Sequence, residues 1–80
     1  MIATLTKLEK RPSRYGGVFY YAFFKSSDGK SVYTCLYERM RNYKRWKKVL
    51  KIGTVFSKLR LVKGKKNLID ADSRFKIVEE

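Results

Sequence analysis

VFYYAFFKSSDGKSVYTCLYE, residues 18–38, consists of two runs of aromatic and β-branched residues separated by Ser-Ser-Asp-Gly. Side chains alternate across a strand, and Asp-Gly between two such runs marks a hairpin. The register of that hairpin decides what each ring does. With Ser27 and Asp28 at the centre of a type I turn and Gly29 in the left-handed position after it, a bulged three-residue loop pairs Ser26 with Lys30. Counting outward sets Phe24 opposite Val32, Ala22 opposite Thr34 and Tyr20 opposite Leu36. One face then holds Val18, Ala22, Phe24, Val32 and Leu36 and reads as core. The other holds Phe19, Tyr21, Phe23 and Lys25 with Ser31, Tyr33, Cys35 and Tyr37, a mixture of rings, hydroxyls and a lysine that reads as a contact surface. Two alternatives stay open. A two-residue Asp28-Gly29 turn would pair Phe24 with Tyr33 and mix the faces, because register and facing are linked. An inverted hairpin would put Phe19, Tyr21 and Phe23 in the core.

Upstream, IATLTKLE (2–9) reads as a first strand, and KRPSRYGG (10–17) as a loop carrying Lys10, Arg11, Arg14 and Tyr15. Downstream, ERMRNYKRWKKVLK (38–51) repeats Met40, Tyr43, Trp46 and Leu50 at helical spacing. That predicts one amphipathic helix with a basic outer stripe including Lys44 and Lys48, stopped by Gly53. Tyr43 and Trp46 are expected to pack the helix onto the rest of the fold. TVFSKLRLV (54–62) predicts a fourth strand, with Val55, Leu59 and Leu61 on one face and Phe56, Lys58 and Arg60 on the other. KGKKN (63–67) is a basic turn carrying Lys63, Lys65 and Lys66, and residues 68–80 predict a fifth strand interrupted at Asp-Ala-Asp-Ser.

Eighty residues predict a single domain, 1–80, with a small core. Twenty Lys and Arg against seven Asp and Glu give a formal charge of +13, the footprint of a partner bearing a regular array of negative charge. One cysteine and no histidine leave neither a disulfide nor the usual zinc ligand sets, so no metal and no cofactor is expected. Asp70 and Asp72 lack a third ligand, and their stretch is better read as a strand break with local hydrogen bonds. Neither a signal peptide nor a membrane span is legible, so the reducing cytoplasm is the expected compartment.

Three strands, a helix and two further strands is the element order of the five-stranded OB-fold barrel. In that order, in YYAFF and SVYTCLY, in Gly53 leading into TVFSKLRLV and in LIDADSRFKI, the chain resembles the small OB-fold single-stranded DNA-binding proteins of phages, plasmids and other mobile genetic elements. The resemblance implies a mainly β, OB-fold-like barrel with one short helix between strands 3 and 4. It also implies a groove made by the loop between strands 1 and 2, the loop between strands 4 and 5, and the outer face of strands 2 and 3. Those places hold rings for stacking bases and cations for phosphates. Phe19, Tyr21, Phe23, Tyr33, Tyr37 and Tyr15 are the stacking candidates. Arg11, Arg14, Lys25, Lys63, Lys65 and Lys66 are the phosphate candidates, with Lys44 and Lys48 extending the basic surface.

The expected partner is single-stranded DNA, with RNA as the alternative ligand. Replication or recombination proteins are further partners that the resemblance implies, and the oligomeric state, monomer or homodimer, is left open by the sequence. A duplex-binding basic barrel would gain little from so many rings. A histidine-free toxin-type ribonuclease would use Lys, Arg and Tyr, but no spacing here marks one of them as a tuned base.

Overall fold

The structure, a computed structural model, describes residues 1–78. Its elements are β1 (Ala3–Pro12), β2 (Val18–Ser26), β3 (Ser31–Tyr37), α1 (Tyr43–Lys47), β4 (Val55–Ser57) and β5 (Lys76–Ile77). They form one antiparallel sheet in the order β3-β2-β1-β4-β5.

The bulged register of the central hairpin is the one adopted. Phe24 faces Val32, Ala22 faces Thr34 and Tyr20 faces Leu36. Gly29 takes φ 88°, where a side chain would be strained, and its N–H donates to the Ser26 carbonyl at 2.9 Å. The Ser26 hydroxyl donates to the Asp28 carboxylate, holding that carboxyl below its ordinary range. Ala22, Phe24, Val32, Thr34 and Leu36 are buried, so the inverted hairpin is excluded.

β1 runs further than residues 2–9 and takes in Arg11 and Pro12, which pair with Phe19 and Val18. Beyond its first residues β1 has no second neighbour in the ladders, so it is an edge, where a proline's missing donor costs little. The loop shrinks accordingly to Ser13–Gly17. β1 also carries a bulge between Leu5 and Lys7. A bulge inserts one residue and switches the facing of the residues beyond it. Ala3 and Leu5 therefore point inward, while Lys7, Glu9 and Arg11 point outward and Leu8 takes the inner side.

The helix is much shorter than 38–51. No acidic residue occupies its first turn, and Asn42 at its start gives no capping hydrogen bond: its amide nitrogen donates to the Ala71 carbonyl, and its amide oxygen accepts from no group among the described residues. Arg39, Arg41, Lys44, Arg45, Lys47 and Lys48 repel one another along the segment, so only five residues stay helical. A helix this short is held by packing rather than propensity. Trp46 is completely buried, donates from Nε1 to the Ala71 carbonyl at 2.8 Å, and meets Phe24, Phe56 and Phe75. Tyr43 stacks on Tyr20, and burial lifts its phenol above the usual range. Both residues pack the helix onto the inner face of the sheet, as their spacing predicts.

The second half of the chain departs most from expectation. Lys58 adopts φ 61°, which ends β4 after three residues and breaks the alternation. Phe56 and Leu59 are consequently both buried, while Leu61 is exposed, in place of the predicted separation of faces. Asp-Ala-Asp-Ser does interrupt the last strand. The Asp72 N–H donates to Asp70 Oδ1 at 2.9 Å and the Ser73 hydroxyl to the Asp70 carbonyl at 2.6 Å, leaving only Lys76–Ile77 paired with β4. The predicted end of that strand, residues 79–80, lies outside the described residues.

With β4 and β5 so short, the sheet is not closed into a barrel. Two isolated bridges cross the gap, Tyr33 to Leu68 in parallel and Leu61 to Ile69 antiparallel. Among the described residues no helix is long and apolar enough to cross a membrane.

Candidate nucleic-acid interface

The outer face of β1, β2 and β3 is a lattice of side chains fixed by the two registers. Its rows are Thr4, Lys25 and Ser31; then Lys7, Phe23 and Tyr33; then Glu9, Tyr21 and Cys35; then Arg11, Phe19 and Tyr37. Rings fill the middle and one side, and charges fill the other. Phe19 stacks on Tyr37 at 5.2 Å between ring centroids and meets Tyr21 edge-on at 5.1 Å. Tyr21 adjoins Phe23, and Phe23 adjoins Tyr33. The five rings thus form one continuous row, half-buried along its length and 39 % exposed at Tyr37. Such a row presents π-faces and hydroxyls outward while the aliphatic core lies beneath it.

The charged column is organised around a carboxylate. Glu9 accepts from Lys7 Nζ at 2.8 Å through one oxygen, and from Arg11 Nε at 3.2 Å and Nη2 at 2.7 Å through the other. These hydrogen bonds, that of Lys7 first, hold the Glu9 carboxyl below its ordinary value. Lys7 also sits 5.7 Å from the centre of the Phe23 ring, and the Arg11 guanidinium 5.2 Å from that of Tyr21. Two cations are therefore parked on the rings and tied to one anion between them. Across the rings, the Cys35 thiol, followed by burial, holds the Tyr21 phenol above its usual range, and burial raises the Cys35 thiol in turn. At neutral pH both Tyr21 and Cys35 are therefore uncharged.

Tyr15, 80 % exposed, stands at the Tyr37 end of the row, where it shares an opening with Tyr37, Arg39 and Met40. The Ser13 hydroxyl accepts from the Tyr15 N–H, and Gly16 and Gly17, both at positive φ, close the turn that carries it. Arg39 lies 5.5 Å over the Tyr15 ring. Arg14 is exposed on the same turn. Lys63, Lys65 and Lys66 are exposed in the turn before Leu68, which comes alongside the other end of the row because the Tyr33 N–H donates to the Asn67 carbonyl at 2.9 Å.

The structure thus gathers Phe19, Tyr21, Phe23, Tyr33 and Tyr37 with Arg11 and Lys25 on one surface, and brings the Tyr15 turn and the 63–67 turn to its ends. Lys44 and Lys48 are not part of it, since their helix covers the inner face. Lys7, Glu9 and Arg39 are additions that the sequence reading missed. The first two were legible in one signal: apolar residues sit at odd positions in Ala3 and Leu5 and at an even one in Leu8, a change of parity that marks a bulge. Compared with protein-family models, curated proteins and solved structures, the chain finds no match.

Proposed function

We propose that the chain is a non-catalytic, largely sequence-indifferent single-stranded DNA-binding module, using the ring row for bases and the flanking cations for phosphates. The observation that carries this reading is the uncovered row of five rings on the outer face of β1–β3, bordered by Lys7 and Arg11 and continued by a basic turn at each end. Stacking contributes roughly 1–3 kcal/mol per base and favours no particular sequence, since every base has a π-face. Three occupied rings would therefore contribute about 3–9 kcal/mol, against the roughly 8 kcal/mol that micromolar affinity requires, before any phosphate contact. Duplex DNA keeps its bases stacked internally and would leave the rings unused. Protection of exposed strands in replication or recombination of a mobile element is the use we assign, with RNA as the second ligand.

The fold supports an OB-type reading in its partly open form. Five strands, a helix between the third and fourth, and bridges from Tyr33 and Leu61 to residues 68–69 follow the path of such a barrel without continuous ladders at the seam. The deciding experiment is a fluorescence-anisotropy titration of labelled oligo-dT by wild type and Tyr21→Ala, with unlabelled duplex as competitor and circular dichroism to confirm folding. A loss of at least tenfold in the variant and weak competition by duplex support the reading. Unchanged binding by the folded variant, with duplex competing equally, refutes it.

A further inference from the structure

An open cleft of about 740 Å³ lies at the β4–β5 end of the sheet, lined by Met1, Lys58, Leu59, Arg60, Arg74 and Lys76. It shares no residue with the ring row, and among the described residues no carboxylate lines it. Among the described residues none of its four cationic side chains has an ion-pair partner. Like charges converging on one concavity repel each other, and an anionic occupant removes that repulsion.

The backbone puts the cations there. The left-handed turn at Lys58 sends Leu59 into the core and leaves Lys58 and Arg60 at the opening. Arg74 and Lys76 flank buried Phe75 and by alternation face the other way. Arg60 is further pinned, because its N–H donates to Ser73 Oγ at 2.9 Å and its carbonyl accepts from the Asp70 N–H at 2.7 Å.

A smaller cleft of about 310 Å³, lined in part by Lys30, Leu61 and Lys66 and also by Asp28, whose carboxylate lies 4.0 Å from Lys30, meets the first at Met1, which lines both. Lys66 belongs to the turn that comes alongside Tyr33. A path of net positive charge therefore leaves the end of the ring row, crosses Lys66 and the Lys30–Asp28 pair, passes Met1 and ends among the four cations.

We propose that this path takes the phosphodiester backbone of a single strand where it leaves the rings, the four-cation cleft being a second phosphate-binding site. The inference rests on the single-strand reading above. No ring lines the cleft, so it holds phosphates and not bases, and its whole contribution depends on salt.

The test compares oligo-dT of about 6 and about 30 nucleotides, lengths that bracket the span of one such domain, by anisotropy across a salt series. The variant is Lys58→Asn/Arg60→Gln/Arg74→Gln/Lys76→Gln, with asparagine at 58 because it tolerates left-handed backbone. For the longer strand the salt slope falls by up to about 2.8, four phosphates at about 0.7 each, while binding of the shorter strand is unchanged. Should that variant misfold, Arg60→Gln/Arg74→Gln gives about half the loss, a slope change near 1.4. In wild type, the Arg60 and Arg74 Nε–H NMR signals shift with the longer strand and not with the shorter.

Equal loss at both lengths would mean a general field, and no loss at the longer length would mean no contact; either overturns the proposal. So does inorganic phosphate shifting the arginine signals as fully as the longer strand, which would make the cleft a site for small anions. Tyr21→Ala separates the two readings. If it binds the shorter strand as wild type does while the cleft variant still loses the longer one, the ring reading fails and the phosphate site stands.

Discussion

Glu9→Gln should make the protein bind single strands more tightly, which is the opposite of what loss of a well-paired charge does in most sites. In the free protein Glu9 holds Lys7 at 2.8 Å and Arg11 at 2.7 Å, so a phosphate must compete with a carboxylate for both cations. Glutamine keeps the size and an acceptor oxygen but gives up the charge. If Lys7 and Arg11 then each neutralise one phosphate, the salt slope steepens by about 1.4, at about 0.7 per contact on a single strand. Variant and wild type would bind alike near 1 M salt and differ about 25-fold, or about 2 kcal/mol, near 0.1 M.

Anisotropy titration of oligo-dT at four or five salt concentrations reads slope and affinity together. The pH dependence provides a second check. Glu9 is ionised in the free protein down to below its ordinary 4.5, and a bound strand that draws its cations away and adds negative charge raises that value. Binding then takes up a proton, so wild-type affinity for oligo-dT rises as pH falls through this range, and Glu9→Gln shows no such rise. An unchanged slope with equal or weaker binding in the variant would refute the reasoning, because Lys7 and Arg11 would then not be phosphate ligands.

Trp46→Ala should destabilise the fold by about 3–5 kcal/mol in urea denaturation, since Trp46 is fully buried among Phe24, Phe56 and Phe75. Gly29→Ala should cost about 1–2 kcal/mol by the same assay, because φ there is 88° while open space around the position removes any packing term. Cys35 should alkylate more slowly than a free thiol at pH 8 and reach its full rate only above the ordinary thiol value of 9.0, because burial keeps it protonated; a rate at pH 8 matching free cysteine would contradict this.

The first half of the chain is more legible in the sequence than the second, where the packing of Tyr43 and Trp46 and the break at Asp70–Ser73 can be read but the lengths of the elements cannot. Between Val18 and Tyr37 the turn chemistry and the two-residue period agree, so register, facing and the buried set come from counting. The ring row is legible for the same reason. β1 is longer than its sequence suggests because Pro12 reads as a breaker until one knows that it lies on an edge. Its outward charges are announced only by the change of parity from Ala3 and Leu5 to Leu8, since the bulge at Thr6 carries no glycine to mark it. After Glu38 local signals lose to tertiary ones. The helical period of Met40, Tyr43, Trp46 and Leu50 is real, yet uncapped and uniformly cationic, and only the one turn that Trp46 anchors survives. Lys58 at positive φ has no signature in sequence, and it causes the shortness of β4 and the burial of both Phe56 and Leu59, and with the break at Asp70–Ser73 it leaves the seam open.

Tyr33 belongs to two systems at once. Its ring ends the aromatic row beside Phe23, while its backbone ties the seam, the N–H to Asn67 and the carbonyl accepting from the Ile69 N–H at 2.7 Å. The place where the molecule is least cross-linked is therefore spanned by a residue whose outer end faces the candidate ligand. A base resting on that ring restrains the same residue that latches the seam, so occupancy is felt as rigidity. Amide exchange at Tyr33 and Ile69, and cleavage by proteases within residues 63–72, become gauges of whether the face is filled, and a chain bearing its ligand outlasts an empty one.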